Sequence, residues 1–146
     1  MKILLDTNVV LDLLLDRKPF SDDAAELFSL VESRSINGCL CATTVTTIFY
    51  LISKARGYET AKDALSGLLL LFEVAAVNGE ILGRALKSPV RDYEDAVIYE
   101  AAKDAGTNMI VTRNERDFPV KDTAVYGPSK ALNIINKLLL QEESLS

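Results

Sequence analysis

The stretch Asp92–Phe118, DYEDAVIYEAAKDAGTNMIVTRNERDF, decides how this chain folds. Its first part reads as a helix that opens on acids. Asp92 and Asp95 stand about one helical turn apart, which puts both on one face. Ala96, Val97, Ala101, Ala102 and Ala105 carry the helix on with small side chains that allow close packing on a sheet. Gly106 ends it, because glycine takes the left-handed C′ conformation at little cost. Met109, Ile110 and Val111 then make a short strand of the buried type. Thr112, Arg113, Asn114 and Asp117 follow where that strand ends. In open α/β sheets ligands sit at the carboxyl ends of the strands, so this stretch is also the first place to look for chemistry.

Working outward, the N-terminal run KILLD is a second short apolar strand with Asp6 at its carboxyl end. Thr7 and Asn8 lead into a helix carrying Val9, Val10, Leu11, Leu13 and Leu14, which Pro19 breaks. Ser21 is a candidate N-cap for the next helix. Asn37-Gly38 has the composition of a hairpin turn, but its helix-then-strand setting places strand two near 38–42. Thr43 or Thr44 is expected to cap a helix through Lys54. Gly57 separates this from a helix near 59–71, and strand three lies near 72–77. Asn78-Gly79-Glu80 opens a helix that ends before Pro89. A short strand near 124–126 and a last helix from Pro128 or Ser129 complete the order. Strands that alternate with helices give parallel β-α-β units, so the fold expected is one α/β domain over 1–146. It is a three-layer α/β/α sandwich with a central parallel sheet. Asp6 and the loop after the fourth strand adjoin if the strand order reverses between those two strands.

Composition narrows the chemistry. The chain of 146 residues contains no histidine, which removes the Ser-His-Asp triad, the Cys-His pair and histidine-ligated zinc. Cys39 and Cys41 read as buried reduced thiols on one strand face. No apolar run approaches the ~18 residues of a membrane span. Asp6, Asp12 and Asp16 interrupt the apolar N-terminus, which reads as a folded, cytoplasmic start rather than a leader. What remains is carboxylate chemistry, with 21 acidic residues against 16 basic ones. The net charge of −5 disfavours nonspecific nucleic-acid binding, but carboxylates that hold a divalent cation reverse the local field.

Asp6, Asp95 and Asp117 are distant in sequence, yet each stands at an element end that can face one crevice. Carboxylates brought together repel, and coexist with a bound cation or as protonated acids. Mg²⁺ and Mn²⁺ suit such oxygen ligands and can activate water for phosphodiester hydrolysis. Plainer readings stand beside this one. Asp92 has the residue type of an N-cap, Asp95 complements a helix dipole, and Asp117 can be a solvated loop acid. Thr112 and Asn114 can satisfy loop backbone groups. Asp6 is the hardest to explain plainly, because an acid buried at the end of a central strand needs a partner.

Three segments, ILLDTNVVLDLL, DYEDAVIYEAA and IVTRNERDF, resemble in order and spacing those of the PIN-domain nucleases, especially the VapC-type toxins of toxin–antitoxin pairs. The resemblance spans most of the chain. It implies the sandwich described above and an Mg²⁺- or Mn²⁺-dependent ribonuclease. It also implies an antitoxin partner and a homodimer. It assigns Asp6, Asp95 and Asp117 as the catalytic, metal-holding acids and Asp92 as an additional one. Thr112 and Asn114 match supporting polar positions, with Asn8 of the DTN motif and Thr47 completing that set. The departure is at Thr47, where the family pattern TVTEIYYL carries a glutamate. A hydroxyl there adds no charge, which motivates an alternative: a PIN-fold RNA-binding protein with weak or no turnover.

Arg113 and Arg116, beside the acids, are the candidate RNA contacts, whereas Arg17, Lys18 and Arg56 read as solvated surface. Two other α/β classes fit poorly. A phosphotransfer receiver would want an aspartate after strand three, where the chain reads Glu73-Val74-Ala75-Ala76-Val77. A haloacid-dehalogenase-type phosphatase would want one at Asn8.

Overall fold

The computed structural model describes residues 1–145. Five short parallel strands lie in the order β3-β2-β1-β4-β5. They are β1 (Lys2–Leu5), β2 (Asn37–Cys41), β3 (Glu73–Ala75), β4 (Met109–Val111) and β5 (Val125–Tyr126). Between them run α1 (Thr7–Leu14), α2 (Ser21–Glu32), α3 (Ala42–Arg56), α4 (Tyr58–Leu71), α5 (Gly79–Ala85) and α6 (Tyr93–Asp104), and α7 (Pro128–Leu145) follows β5. Among the described residues no helix is long and apolar enough to cross a membrane.

The central strands β1, β2 and β4 are buried on both faces because helices cover both, as parallel sheets require, whereas the edge strand β3 leaves Glu73 and Val74 exposed. Side chains alternate between the layers. Ile3, Leu5, Leu40, Met109 and Val111 enter a core shared with α1 to α4 and α7. Leu4, Cys39, Cys41 and Ile110 enter a second core under α5 and α6. Both thiols are free, and burial pushes that of Cys39 up to about 11. The alanines of α6 let the helix settle closely, with Ala96, Ala101 and Ala102 almost wholly buried. Its C-terminus is closed at Gly106, whose φ is +71°, by bonds from Gly106 N to Lys103 O and Thr107 N to Ala102 O. Gly38 is needed for another reason: a Cβ there would stand 2.6 Å from the Phe72 ring.

Several expected boundaries move. β3 covers only Glu73–Ala75 rather than 72–77. α3 begins at Ala42 with Cys41 as its N-cap, whose side chain makes no capping bond, so neither Thr43 nor Thr44 caps it. Their hydroxyls are engaged otherwise, Thr43 with the Cys41 sulfur and Thr44 with Thr7. Ser21 is the first residue of α2, not its cap, and is buried. Asn78 does cap α5, accepting from Ile81 N at 3.0 Å.

The decisive feature is β1, which pairs with β2 on one side and β4 on the other. The chain steps outward from β1 to β2 and β3 with helices on one face, then returns through α5 and α6 on the other face to reach β4. This reversal opens a crevice at the carboxyl ends of β1 and β4.

Candidate active site

Asp6 leaves the end of β1 and caps α1. It is only 5% exposed. One carboxylate oxygen accepts from Thr7 N at 2.8 Å and the other from the Thr112 hydroxyl at 2.7 Å. Thr112, at the end of β4, is fully buried, and its oxygen also accepts from Asn8 Nδ2 at 3.3 Å and Asn114 N at 3.1 Å. The two strand ends are thus tied through one hydroxyl. Burial raises the Asp6 carboxyl above the ordinary carboxylate range, the bonds from Thr112 and Thr7 oppose this, and Asp117 and Asp92 raise it further.

The N-terminus of α6 forms the facing wall. Asp92 is its N-cap and accepts from Asp95 N at 3.1 Å. Asp92 also lines the crevice, so the capping and crevice readings of this residue hold together. Asp95 is half-buried. Its carboxyl is pushed up to about 7, first by burial and then by Asp6, Asp92, Asp117 and Glu94. Asp117 lies in a single exposed 3₁₀ turn, Glu115–Asp117, and shares the outer mouth with Asp92, Asp95, Arg91 and Arg116. The four predicted aspartates therefore gather along a crevice of two adjoining hollows that share Asp92 and Asp95, with Asp6 in one and Asp117 in the other. They ring it rather than converge: among the described residues no three acidic or thiol side chains stand close enough together for a finished metal site. The donor set fits a hard divalent cation, being all carboxylate oxygen, partly desolvated and crowded by like charge.

Thr47 is not among the crevice-lining residues. Its hydroxyl donates to the Thr43 carbonyl at 3.0 Å, one turn back on α3. The α3 residue joined to this region is Thr44, fully buried, whose hydroxyl accepts from Thr7 Oγ1 at 3.1 Å.

Among the cations, Arg116 stands at the mouth as expected. Arg113 lines the crevice, but its guanidinium is bound to a residue the sequence reading passed over. Asp12, on α1 and 1% exposed, accepts from Arg113 Nε at 2.7 Å and Nη2 at 3.2 Å, and from Arg17 Nε at 2.8 Å. Arg17 also donates to the Asn8 carbonyl at 3.2 Å and lines the crevice. The expectation that Arg17 is solvated surface is therefore wrong; a buried carboxylate draws it in. Lys18 is exposed and pairs with Asp16 and Asp22, and Arg56 is exposed, as expected of both. Asp12 had a legible signal, since an acid inside VVLDLLL falls within an apolar stripe and needs a partner. Glu94 and Arg91, also missed, carried none beyond adjacency to Asp92 and Asp95.

A parallel α/β domain with carboxylates, Asp6 among them buried, around the crevice at its switch point defines the class. The sequence profile of the PIN domain matches residues 2–116, and the chain belongs to that family. Comparison with curated proteins gave no match. Solved structures share the fold. A toxin–antitoxin complex from Klebsiella pneumoniae aligns with TM-score 0.66 and 22% identity over 86% of this chain and 97% of the other. DNA-bound VapBC from Salmonella typhimurium gives 0.64 and 24% over 88% and 98%. VapC20 from Mycobacterium tuberculosis, described as a sarcin–ricin loop cleaving toxin, gives 0.61 and 16% over 74% and 86%.

Proposed function

We propose that this protein is an Mg²⁺- or Mn²⁺-dependent endoribonuclease and the toxin half of a toxin–antitoxin pair. The observation that carries the reading is the gathering of Asp6, Asp92, Asp95 and Asp117 from three separated segments in two adjoining hollows, joined through Asp92 and Asp95, at the sheet's switch point. Membership of the PIN family and the descriptions of VapC20 and of the VapBC and toxin–antitoxin complexes support it.

Asp6, Asp95 and Asp117, with Asp92, would hold the cation. When bound, such a cation makes water a better nucleophile and offsets negative charge on the phosphate. The protein's own groups do the rest. Thr112 and Thr7 fix both oxygens of Asp6, so that carboxylate is oriented before substrate arrives. Arg17 and Arg113 make one basic side of the crevice, and Arg91 and Arg116 stand at its mouth. These guanidinium groups give a phosphate backbone a local attraction that the net charge of −5 opposes at long range. The same reading includes an antitoxin that fills the crevice with an arginine facing the acids, and a homodimer. A gene neighbourhood without a partner would count against the first, and a monomer by sedimentation against the second.

The test is cleavage of a mixed RNA panel with Mn²⁺, Mg²⁺ or EDTA, beside Asp6→Asn. Cleavage should require the cation and vanish in the variant. Cutting that survives EDTA and the variant sinks the carboxylate mechanism. The turn of the Thr47 hydroxyl into its own helix favours a second reading, an RNA-binding protein without turnover. RNA bound by the folded protein and cut with neither metal would select it.

A further inference from the structure

A second cavity, of about 620 Å³, lies between the start of α2 and the start of α7, bounded by Phe20, Arg113, Pro128 and Asn133, with Asp23 and Glu115 at its polar edge. Arg113 lines both this cavity and the acidic crevice, so one guanidinium divides two adjoining spaces. Asp12 fixes that guanidinium through Nε and Nη2. Its carbon stands 3.9 Å from the Phe20 ring centroid, yet the phenylalanine remains 40% exposed. One side of this large ring is taken by the fixed guanidinium, and its exposed remainder is a stacking platform.

We propose that this cavity receives one unstacked base of the RNA strand, next to the phosphate held in the crevice; the inference rests on the nuclease reading above. Sequence-reading proteins grip single-stranded RNA by stacking splayed bases on aromatic rings and arginine planes, and the exposed part of the Phe20 ring, backed by Arg113, is such a surface. The charged lining is balanced, Asp23 and Glu115 against Arg113 and Lys130, so charge alone does not choose between a base and a phosphate. The hydrogen-bonding groups favour a base: as pure acceptors, Asp23 and Glu115 suit the exocyclic amino group of adenine, cytosine or guanine. Asn133 adds a donor and an acceptor. Uracil, which has no exocyclic amine, fits worst. Pro128 and the Phe20 ring give the cavity its apolar floor. The Arg113 position sets the neighbouring phosphate and the base in a fixed relation, which makes this a specificity site.

The chain contains no tryptophan, so Phe20→Trp supplies a sole reporter at the platform. In an Asp6→Asn background, short single-stranded oligoribonucleotides of A, C or U would be titrated with Mg²⁺ present. Tryptophan emission should change on binding A or C runs and less with U. Phe20→Ala should weaken RNA binding about tenfold or more, while Phe20→Tyr retains it. RNA bound without an emission change, with Phe20→Ala as tight as the parent, overturns the base site and leaves the nuclease reading standing. Absence of any RNA binding by the wild-type protein overturns both. Phe20→Ala that holds RNA normally but loses an antitoxin peptide overturns the base site in favour of a protein side chain. If the alanine variant does not fold, the tryptophan and tyrosine variants decide the matter through emission and base preference.

Discussion

Two buried aspartates six residues apart in one segment meet opposite fates. Asp12 is surrounded by its own cations, with Arg17 and Arg113 donating to both oxygens. Among the described residues Asp6 is held by the Thr112 hydroxyl and the Thr7 amide rather than by a cation, and the charges that act on it are the acids Asp117 and Asp92. A buried charge neutralised within the chain is a fastening. A buried charge kept among other acids suits a ligand that arrives from outside. The fastening in turn shapes the basic side of the crevice, so the two aspartates serve one site from opposite directions.

The comparison breaks most visibly in stability. Asp12→Ala leaves two half-buried guanidinium groups without their acceptor and should cost about 3–5 kcal/mol, measured by urea unfolding. An equal loss from Asp6→Ala would erase the distinction. Asp6→Asn should instead lower cleavage by about a hundredfold or more with little change in melting temperature. A variant that unfolds, or cuts normally, would put Asp6 in the structural class.

A third test uses pH. The Asp95 carboxyl is raised from the usual 3.8 to about 7, so between those values the folded protein holds a proton that the unfolded chain has released. Stability without divalent cation should then fall as pH rises from about 4 to about 7, and Asp95→Asn should flatten the slope. Added Mg²⁺ should recover part of the loss in wild type but less in the variant; a flat wild-type profile would contradict the crowding of acids. The smallest effect expected is from Thr47→Glu. One more acid on α3 should tighten Mn²⁺ binding about threefold, read by calorimetry. No change would mean that the α3 position does not reach the crevice.

The fold was largely legible because local rules and global order agree. KILLD and MIVTR each end a buried strand on polar groups, and the alanine-rich helix between Asp92 and Gly106 could only lie against a sheet. Gly106 closed that helix with the motif its sequence promised. Legibility failed where a side chain's role depends on a distant partner. Arg17 looked like surface because its acceptor is inside an adjacent helix. Asp12 looked like one more interruption of an apolar run. Thr43 and Thr44 looked like caps, but Cys41 already holds the extended conformation from which α3 starts, and their hydroxyls turn to the Cys41 sulfur and to Thr7.

By itself, then, the sequence determined the order of elements, the two apolar faces of the central strands and the set of acids at element ends. Periodicity and residue chemistry act over a few positions and can be read along the chain. Tertiary structure alone decided that β4 lies beside β1, that Thr112 ties Asp6 to the neighbouring strand end, and that Asp12 gathers Arg17 and Arg113. Those outcomes join residues 5 to 106 positions apart, where burial and charge act through space rather than along the chain.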